Sequence, residues 1–255
     1  MTWDPVSYLQ FADARARPGV DLLARIPLAA PRSVVDAGCG AGNLTALIAE
    51  RWPSADVRGF DSSPEMIERA ARDHPSLHFW VDDLASWEPD DPVDVLYTNA
   101  TLHWLDDHAM LFPRLMSYIA PGGVLAVQMP DNWSAPTHRI PADILDDGPW
   151  PESARAALMR NRLATPSEYL RWLAPAEVDL WRTTYYQRLA GADPVWEWVT
   201  GSVLRPVLAA LDTDSAERFS AECRRSYRDA YPADDSGTTV LPFSRLFLVA
   251  TAGSM

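Results

Sequence analysis

Residues 33–43, Ser33-Val34-Val35-Asp36-Ala37-Gly38-Cys39-Gly40-Ala41-Gly42-Asn43, read as a buried strand that runs into a glycine turn and then into a helix. The apolar run from Ser33 to Ala37 suits a strand, and glycines in the turn let the main chain approach a ligand closely. The amino end of the following helix adds amide donors for polar groups of that ligand. A dinucleotide-binding turn spaces its glycines as G-x-G-x-x-G, whereas Gly38, Gly40 and Gly42 follow G-x-G-x-G, which weakens a nicotinamide-dinucleotide reading.

Outward from this turn, short apolar runs at Ala55 to Phe60, Leu77 to Val81, Val93 to Thr98 and Gly123 to Gln128 read as further buried strands. Helix signals alternate with them. Asn43 serves as the capping residue of a helix to Arg51 that places Leu44, Leu47 and Ile48 on one face, Ser63-Pro64-Glu65 opens a second helix, and a third runs from near Asp107 to Tyr118. Strand and helix in alternation predict an α/β fold, a mostly parallel sheet with helices on both faces. After Gln128 the rhythm breaks. Two helical stretches, about 130–177 and 190–238, read as cap insertions around a strand from Val178 to Arg188, and a last strand, Leu241 to Thr251, is expected to pair with it as an antiparallel edge. The whole of 1–255 is expected to form one domain with its ligand-binding core at about 33–129.

Composition narrows the function classes. The chain has 255 residues, 47% hydrophobic and 22% charged, enough apolar material for a core and without a run of membrane-spanning length. Its amino terminus shows neither a basic segment nor an apolar stretch, so no signal peptide is expected and the cytoplasm is the expected compartment. Cys39 and Cys223 are too few for a disulfide framework or a cysteine-rich metal site. The 22 basic residues are all arginines, which removes lysine chemistry. With 35 acidic residues the formal net charge is −13, a poor footprint for nucleic acid or an anionic membrane, so a small-molecule partner is expected.

Two further acids extend the glycine turn into a site. Asp61 ends the second strand, where a carboxylate can accept from ribose hydroxyls, and Asp83 follows the third, where its carboxylate can accept from an adenine amino group while the Leu84 amide meets the ring. Three acids at successive strand ends make a nucleoside-sized constellation. Asp82, next to Asp83, is read instead as a solvated turn residue.

This set, Asp36-x-Gly38-x-Gly40 with Asp61 and Asp83, resembles the class I S-adenosylmethionine-dependent methyltransferases over roughly residues 33–129. The resemblance implies a Rossmann-like seven-stranded sheet and S-adenosyl-L-methionine as cofactor, held by Asp36, Gly38, Gly40, Asn43, Asp61, Ser62, Asp83, Leu84, Asn99 and Ala100. Tyr8-Leu9-x-Phe11, Arg15-x-Arg17-Pro18, Asn99-Ala100-x-Leu102-His103-Trp104, Gln128-Met129-Pro130-Asp131-Asn132 and Asp179-x-Trp181-x-Thr183-x-Tyr185 carry a closer likeness. Gly201-Ser202-x-Leu204-x-Pro206, Ala230-Tyr231-Pro232 and Pro242-Phe243-x-Arg245-Leu246-Phe247 extend it. Together they are similar, along nearly the whole chain, to the trans-aconitate 2-methyltransferase family, which esterifies one carboxylate of a small unsaturated tricarboxylic acid. One departure is Asp82, where the family more often has a small residue; it adds a negative charge near the adenine pocket.

The residues agree with that reaction class. The acidic or amide residue followed by Pro-Pro-aromatic that nitrogen methyltransferases often carry after the fourth strand is missing from Asn99-Ala100-Thr101-Leu102. A carboxylate with a pKa of about 4 is already ionised at neutral pH and requires no general base, so no catalytic residue is expected beyond a possible donor in His103, and no metal. Alignment and desolvation would carry the rate. A polyanionic substrate in an acidic chain demands arginine, whose fork binds both carboxylate oxygens; Arg17, Arg205 and Arg245 are the candidates, with His103, Trp104, Gln128, Asn132, Trp181 and Tyr185 as further substrate contacts. His138 could close over the site, and Arg224, Arg225 and Arg228 are read as surface residues. Competing functions are methylation of another small acid or of a hydroxyl, which would require a base such as His103 or His138, and a non-catalytic cofactor-binding module.

Overall fold

The computed structural model describes residues 16–158, 163–200 and 204–253, so the motif residues Tyr8, Leu9, Phe11, Arg15, Gly201 and Ser202 lie outside it. In chain order the elements are α1 (Arg17–Arg25), β1 (Ser33–Ala37), α2 (Asn43–Arg51), β2 (Asp56–Asp61), α3 (Pro64–Asp73), β3 (His78–Val81) and β4 (Val93–Asn99). A single 3-10 turn (Leu102–Trp104) leads to α4 (His108–Ser117) and β5 (Ile119–Pro130). Helices α5 (Pro136–Asp147), α6 (Glu152–Ala157) and α7 (Pro166–Trp172) precede β6 (Glu177–Ala190). Then come α8 (Pro194–Thr200), α9 (Arg205–Ala209), α10 (Thr213–Ala230) and β7 (Thr238–Thr251).

The sheet has seven strands in the order β3-β2-β1-β4-β5-β7-β6. Pairing is parallel from β3 through β5, and β7 enters antiparallel against β5. The expected α/β class is what forms. Strand order reverses between β1 and β4, and in such sheets the crevice at the carboxyl ends beside that point receives the ligand. Strand β5 begins at Ile119, earlier than the expected Gly123, because Val93 pairs with Ile119 before a register shift that brings Val95 opposite Val124. Gly122, with φ of 75°, lies in the irregular stretch.

Local chemistry explains the helix starts. Gly42, in the left-handed region, occupies the N-cap of α2, which corrects the assignment of that role to Asn43; Asn43 is the first helical residue and is exposed. Ser63 accepts from the Met66 amide ahead of Pro64, and Asp107 caps α4 by accepting from Met110. Arg51 of α2 donates to the Leu23 and Ile26 carbonyls, tying down the end of α1.

Contacts divide the chain into two compact units. The first holds the described residues up to Pro130, with Leu163–Thr183 and those from Arg245 on; the second holds the described residues within Asp131–Arg162 and Thr184–Ser244. Residues 163–177, within the first expected cap insertion, therefore group with the sheet. One face of the sheet (Val35, Ala37, Leu96, Leu125, Val127, Met129, Leu246, Leu248) forms a core with Phe60, Trp87, Phe112 and Tyr169. In the second unit Trp150, Trp196, Phe219, Cys223 and Tyr227 centre another core, and Tyr227 donates to the Thr137 carbonyl at 3.0 Å.

Candidate active site

Gly38, Gly40 and Gly42 have φ of 77°, 55° and 79°, a region that side chains disfavour. Beyond conformation, Gly38 is fixed by space, since a Cβ there would stand 2.2 Å from Thr101 Oγ1, whereas a Cβ on Gly40 would meet nothing within 4 Å. Gly40 thus opens onto free volume. The turn is anchored on β2: the Gly38 and Cys39 amides donate to the Phe60 carbonyl at 2.8 and 2.9 Å, and the Gly40 amide donates to Asp61 Oδ2 at 2.9 Å. Asp61 Oδ1 accepts from the Ser63 amide at 2.9 Å, so one carboxylate joins the glycine turn to the entry of α3.

A cleft of about 470 Å³ lies there, lined by Gly38, Gly40, Asp61, Ser62, Asp83, Leu84 and Ala100 among the expected cofactor residues. Its size is within the usual range of small-molecule sites. Ionised carboxylates have about four acceptor positions, and Asp61 uses two on backbone amides while Asp83 uses one on the Ala85 amide at 2.9 Å, which leaves acceptors for ribose hydroxyls and an adenine amino group. Volume, open glycine and unspent acceptors fit S-adenosyl-L-methionine.

Asp36, Asn43 and Asn99 do not line this cleft. Asp36 is 2% exposed behind the turn and accepts from Thr45 Oγ1 at 2.6 Å. Burial pushes its carboxyl up to about 7, against the pull of the Thr45 hydroxyl and with a further rise from Asp61. Thr45 gave no sequence signal. Asp82 also departs from its reading as a solvated turn residue: it lines the cleft and accepts from the Trp80 indole at 3.1 Å and from the Asp83 amide at 2.8 Å. Thr101, within the Asn99-Ala100-Thr101-Leu102 segment, also lines the cleft, as do Phe60, Ser63, Met66 and Leu105, to which only nearness in sequence to the motif residues could have pointed.

Of the expected substrate contacts in the first unit, Trp104 lines the cleft and is 58% exposed, with the buried His103 ring 4.8 Å away. Gln128 is buried at the carboxyl end of β5, level with Asn99 of β4. Arg245 lies opposite Pro130 in the β5–β7 ladder, and Arg17 is an exposed residue of α1 that reaches Asp21 at 3.9 Å. Trp181 stacks on Phe247 at 4.9 Å under the Arg25 guanidinium and is not part of the cleft lining.

In the second unit, Asn132 and Tyr185 are buried and Arg205 is exposed at the start of α9. His138 contacts Thr137 Oγ1 at 3.1 Å and the Trp133 ring at 4.9 Å, and burial lowers its pKa to about 4, so the ring is neutral at physiological pH. Arg228 grips Asp193 through two hydrogen bonds of 2.7 and 2.8 Å, and Arg224 stacks on Trp196, while Arg225 is exposed. Among the described residues no group of three or more His, Cys, Asp or Glu is placed to hold a metal ion, and no helix is long and apolar enough to cross a membrane.

Residues 8–183 match the family described as a methyltransferase domain. The trans-aconitate 2-methyltransferase of Methylobacterium nodulans is 49% identical over 251 residues, 97% of each chain, and that of Escherichia coli O157:H7 is 42% identical over 250 residues, again 97% of each. Among solved structures, the YcgJ protein of Bacillus subtilis is similar with a TM-score of 0.59 at 14% identity, over 93% of this chain and 99% of that one. Phosphoethanolamine N-methyltransferase 2 of Haemonchus contortus, solved with S-adenosyl-L-methionine, gives 0.55 at 15% identity over 92% of this chain and 52% of that one. At such identities these structures bear on the fold alone.

Proposed function

The chain belongs to the trans-aconitate 2-methyltransferase family of S-adenosyl-L-methionine-dependent methyltransferases, and from that premise we propose that it forms the monomethyl ester of trans-aconitate. The observation that carries this reading is 49% identity over 97% of both chains, which takes in the segments outside the cofactor core. When bound, the cofactor supplies a methyl group on a cationic sulfur, so that an O–C bond forms from a carboxylate lone pair as the C–S bond breaks with its pair left on sulfur, and no proton is transferred.

The chain's residues have the tasks of binding, orienting and drying. Gly38, Gly40 and Ala100 admit the cofactor's backbone-sized parts; Asp61 with Ser62 takes the ribose, and Asp83 with Leu84 takes the adenine. Asn99 stands beside them, and Asp36 braces the turn from behind. An ionised carboxylate nucleophile requires no base, and a histidine such as His138, with a pKa of about 4, is a poor base for a hydroxyl, which favours the acid over a hydroxyl acceptor. His103 and Trp104 shield the reacting end, and Arg245 of β7, opposite Pro130 at the carboxyl end of β5, is the arginine favoured for a remote carboxylate. The partners in this reading are a small polycarboxylate and the cofactor, with no nucleic acid or membrane, in keeping with a net charge of −13; the free thiols Cys39 and Cys223 suit the cytoplasm.

Incubation with methyl-labelled cofactor and a panel of trans-aconitate, a monocarboxylic analogue and a phenol tests the reading. Labelled ester from the triacid, at a kcat/KM at least tenfold above the other acceptors, is expected. Transfer to the phenol with none to the triacid would overturn it.

A further inference from the structure

Gln128 is 1% exposed, and neither its side-chain oxygen nor its nitrogen has a hydrogen-bond partner among the described residues. Asn99 Oδ1 beside it is also buried and unpartnered. Buried amides left unsatisfied cost stability, and an apolar side chain of the same length would avoid the cost. Their position suggests what the amide is for. Both residues stand at the carboxyl ends of adjacent strands, paired in register, and the Gln128 carbonyl accepts at 2.9 Å from the amide of Ala100, a residue of the cofactor cleft.

The ladder fixes which side chains share a face. Asn99 pairs with Gln128 and Gln128 with Phe247, so these three stand on one face; Pro130 pairs with Arg245, two residues further along the strands and therefore on that face too. Two residues of strand span about 7 Å, the scale of a small tricarboxylate. One face at the sheet's open edge thus carries an uncharged donor and, one step away, a guanidinium.

Charge decides which should hold which carboxylate. The carboxylate that accepts the methyl group loses its charge as the bond forms, so a guanidinium on it would bind the reactant more strongly than the transition state and slow the reaction. An uncharged amide donor loses much less. Carboxylates that stay ionised throughout carry no such conflict and suit arginine.

We propose that Gln128 orients the reacting carboxylate of the substrate, donating from its side-chain amide to the oxygen that is not methylated, while arginine holds a carboxylate that does not react. Gln128 thereby selects which carboxylate becomes the ester. The proposal rests on the esterification reading above, and its test separates the two. Wild-type turnover of trans-aconitate is measured first, with the position of the ester fixed by NMR; Gln128→Leu and Gln128→Met are then compared for kcat, KM, cofactor affinity by calorimetry and thermal midpoint. A wild-type chain that binds cofactor but forms no ester overturns both readings. Where the wild type is active, the variants should lose about tenfold to a hundredfold in kcat. Cofactor affinity should stay within about twofold, the midpoint should not fall, and a mixture of ester isomers should replace a single one. Wild-type kcat with a single isomer in either variant overturns the Gln128 assignment alone, as does failure of both variants to fold, since the amide would then serve the structure.

Discussion

Asp61 has one carboxylate with two duties, closing the glycine turn through the Gly40 amide and presenting acceptors to the cleft. Asp61→Ala should weaken cofactor binding by about 1.5 to 3 kcal/mol, the worth of a hydrogen bond to a charged group, and calorimetry would read this directly. Asp61→Asn keeps a single side-chain oxygen for two backbone amides, so an intermediate loss is expected; equal affinity for wild type and both variants would exclude the residue from the site. Ala100 is a second informative position, a non-glycine residue with φ of 55° in the cleft lining. The left-handed region costs an alanine about 1 to 2 kcal/mol, and glycine escapes that cost but loses more freedom on folding, so Ala100→Gly should move stability by under about 1 kcal/mol. Ala100→Val adds branching at the same φ and should destabilise by more than Ala100→Gly in urea denaturation. The three glycines and the acids Asp61 and Asp83 were legible in the sequence because each is tied to a strand end. Asp82, half-buried, was not, since the sequence does not show that its carboxylate is taken up by the Trp80 indole and the Asp83 amide at the edge of the cleft.

At the scale of elements, β1 and α2 form at the residues the sequence indicates, because a short apolar run, a glycine turn and a helical face follow one another without competition. Strand β5 begins earlier than its sequence suggests, because Gly122 and Gly123 read as a turn signal but occupy an irregularity within a longer strand. Trp181 stacks on Phe247, packing β6 on β7, a contact that only the tertiary pairing reveals. The junction of β1 with β4 offers a test of element docking. Asp94 Oδ2 accepts from the Arg32 amide at 2.6 Å and from the Ser33 amide at 3.4 Å. Burial opposes ionisation of Asp94, but these amides and the Arg32 guanidinium outweigh it and hold the carboxyl below its ordinary value. A depressed folded-state pKa means that the stabilisation is present above the usual carboxylate range and disappears as acid titrates below it. Asp94→Asn should therefore lower stability by about 1 to 2 kcal/mol at pH 7, with the difference shrinking toward pH 3 in chemical denaturation.

Over the whole molecule, a net charge of −13 repels a substrate that carries about three negative charges at neutral pH. Added salt shortens the screening length from about 30 Å at 10 mM to about 8 Å at 150 mM, so kcat/KM for trans-aconitate should rise across that range while a neutral acceptor's stays level. A fall with salt would mean that local arginine attraction outweighs the global field. The buried Asp36 carboxyl, raised to about 7 by desolvation, adds a second response, because a raised folded-state pKa gives stability that is full below pH 4 and is lost as pH rises through 7. The same group links ligand binding to the solvent's proton pool. A cationic cofactor arriving in front of the glycine turn favours the ionised form of Asp36, so binding near pH 7 should expel a fraction of a proton into the buffer. Calorimetric heats measured in phosphate and in Tris, whose ionisation enthalpies differ widely, should then disagree by an amount proportional to that fraction, and the disagreement should vanish in Asp36→Asn.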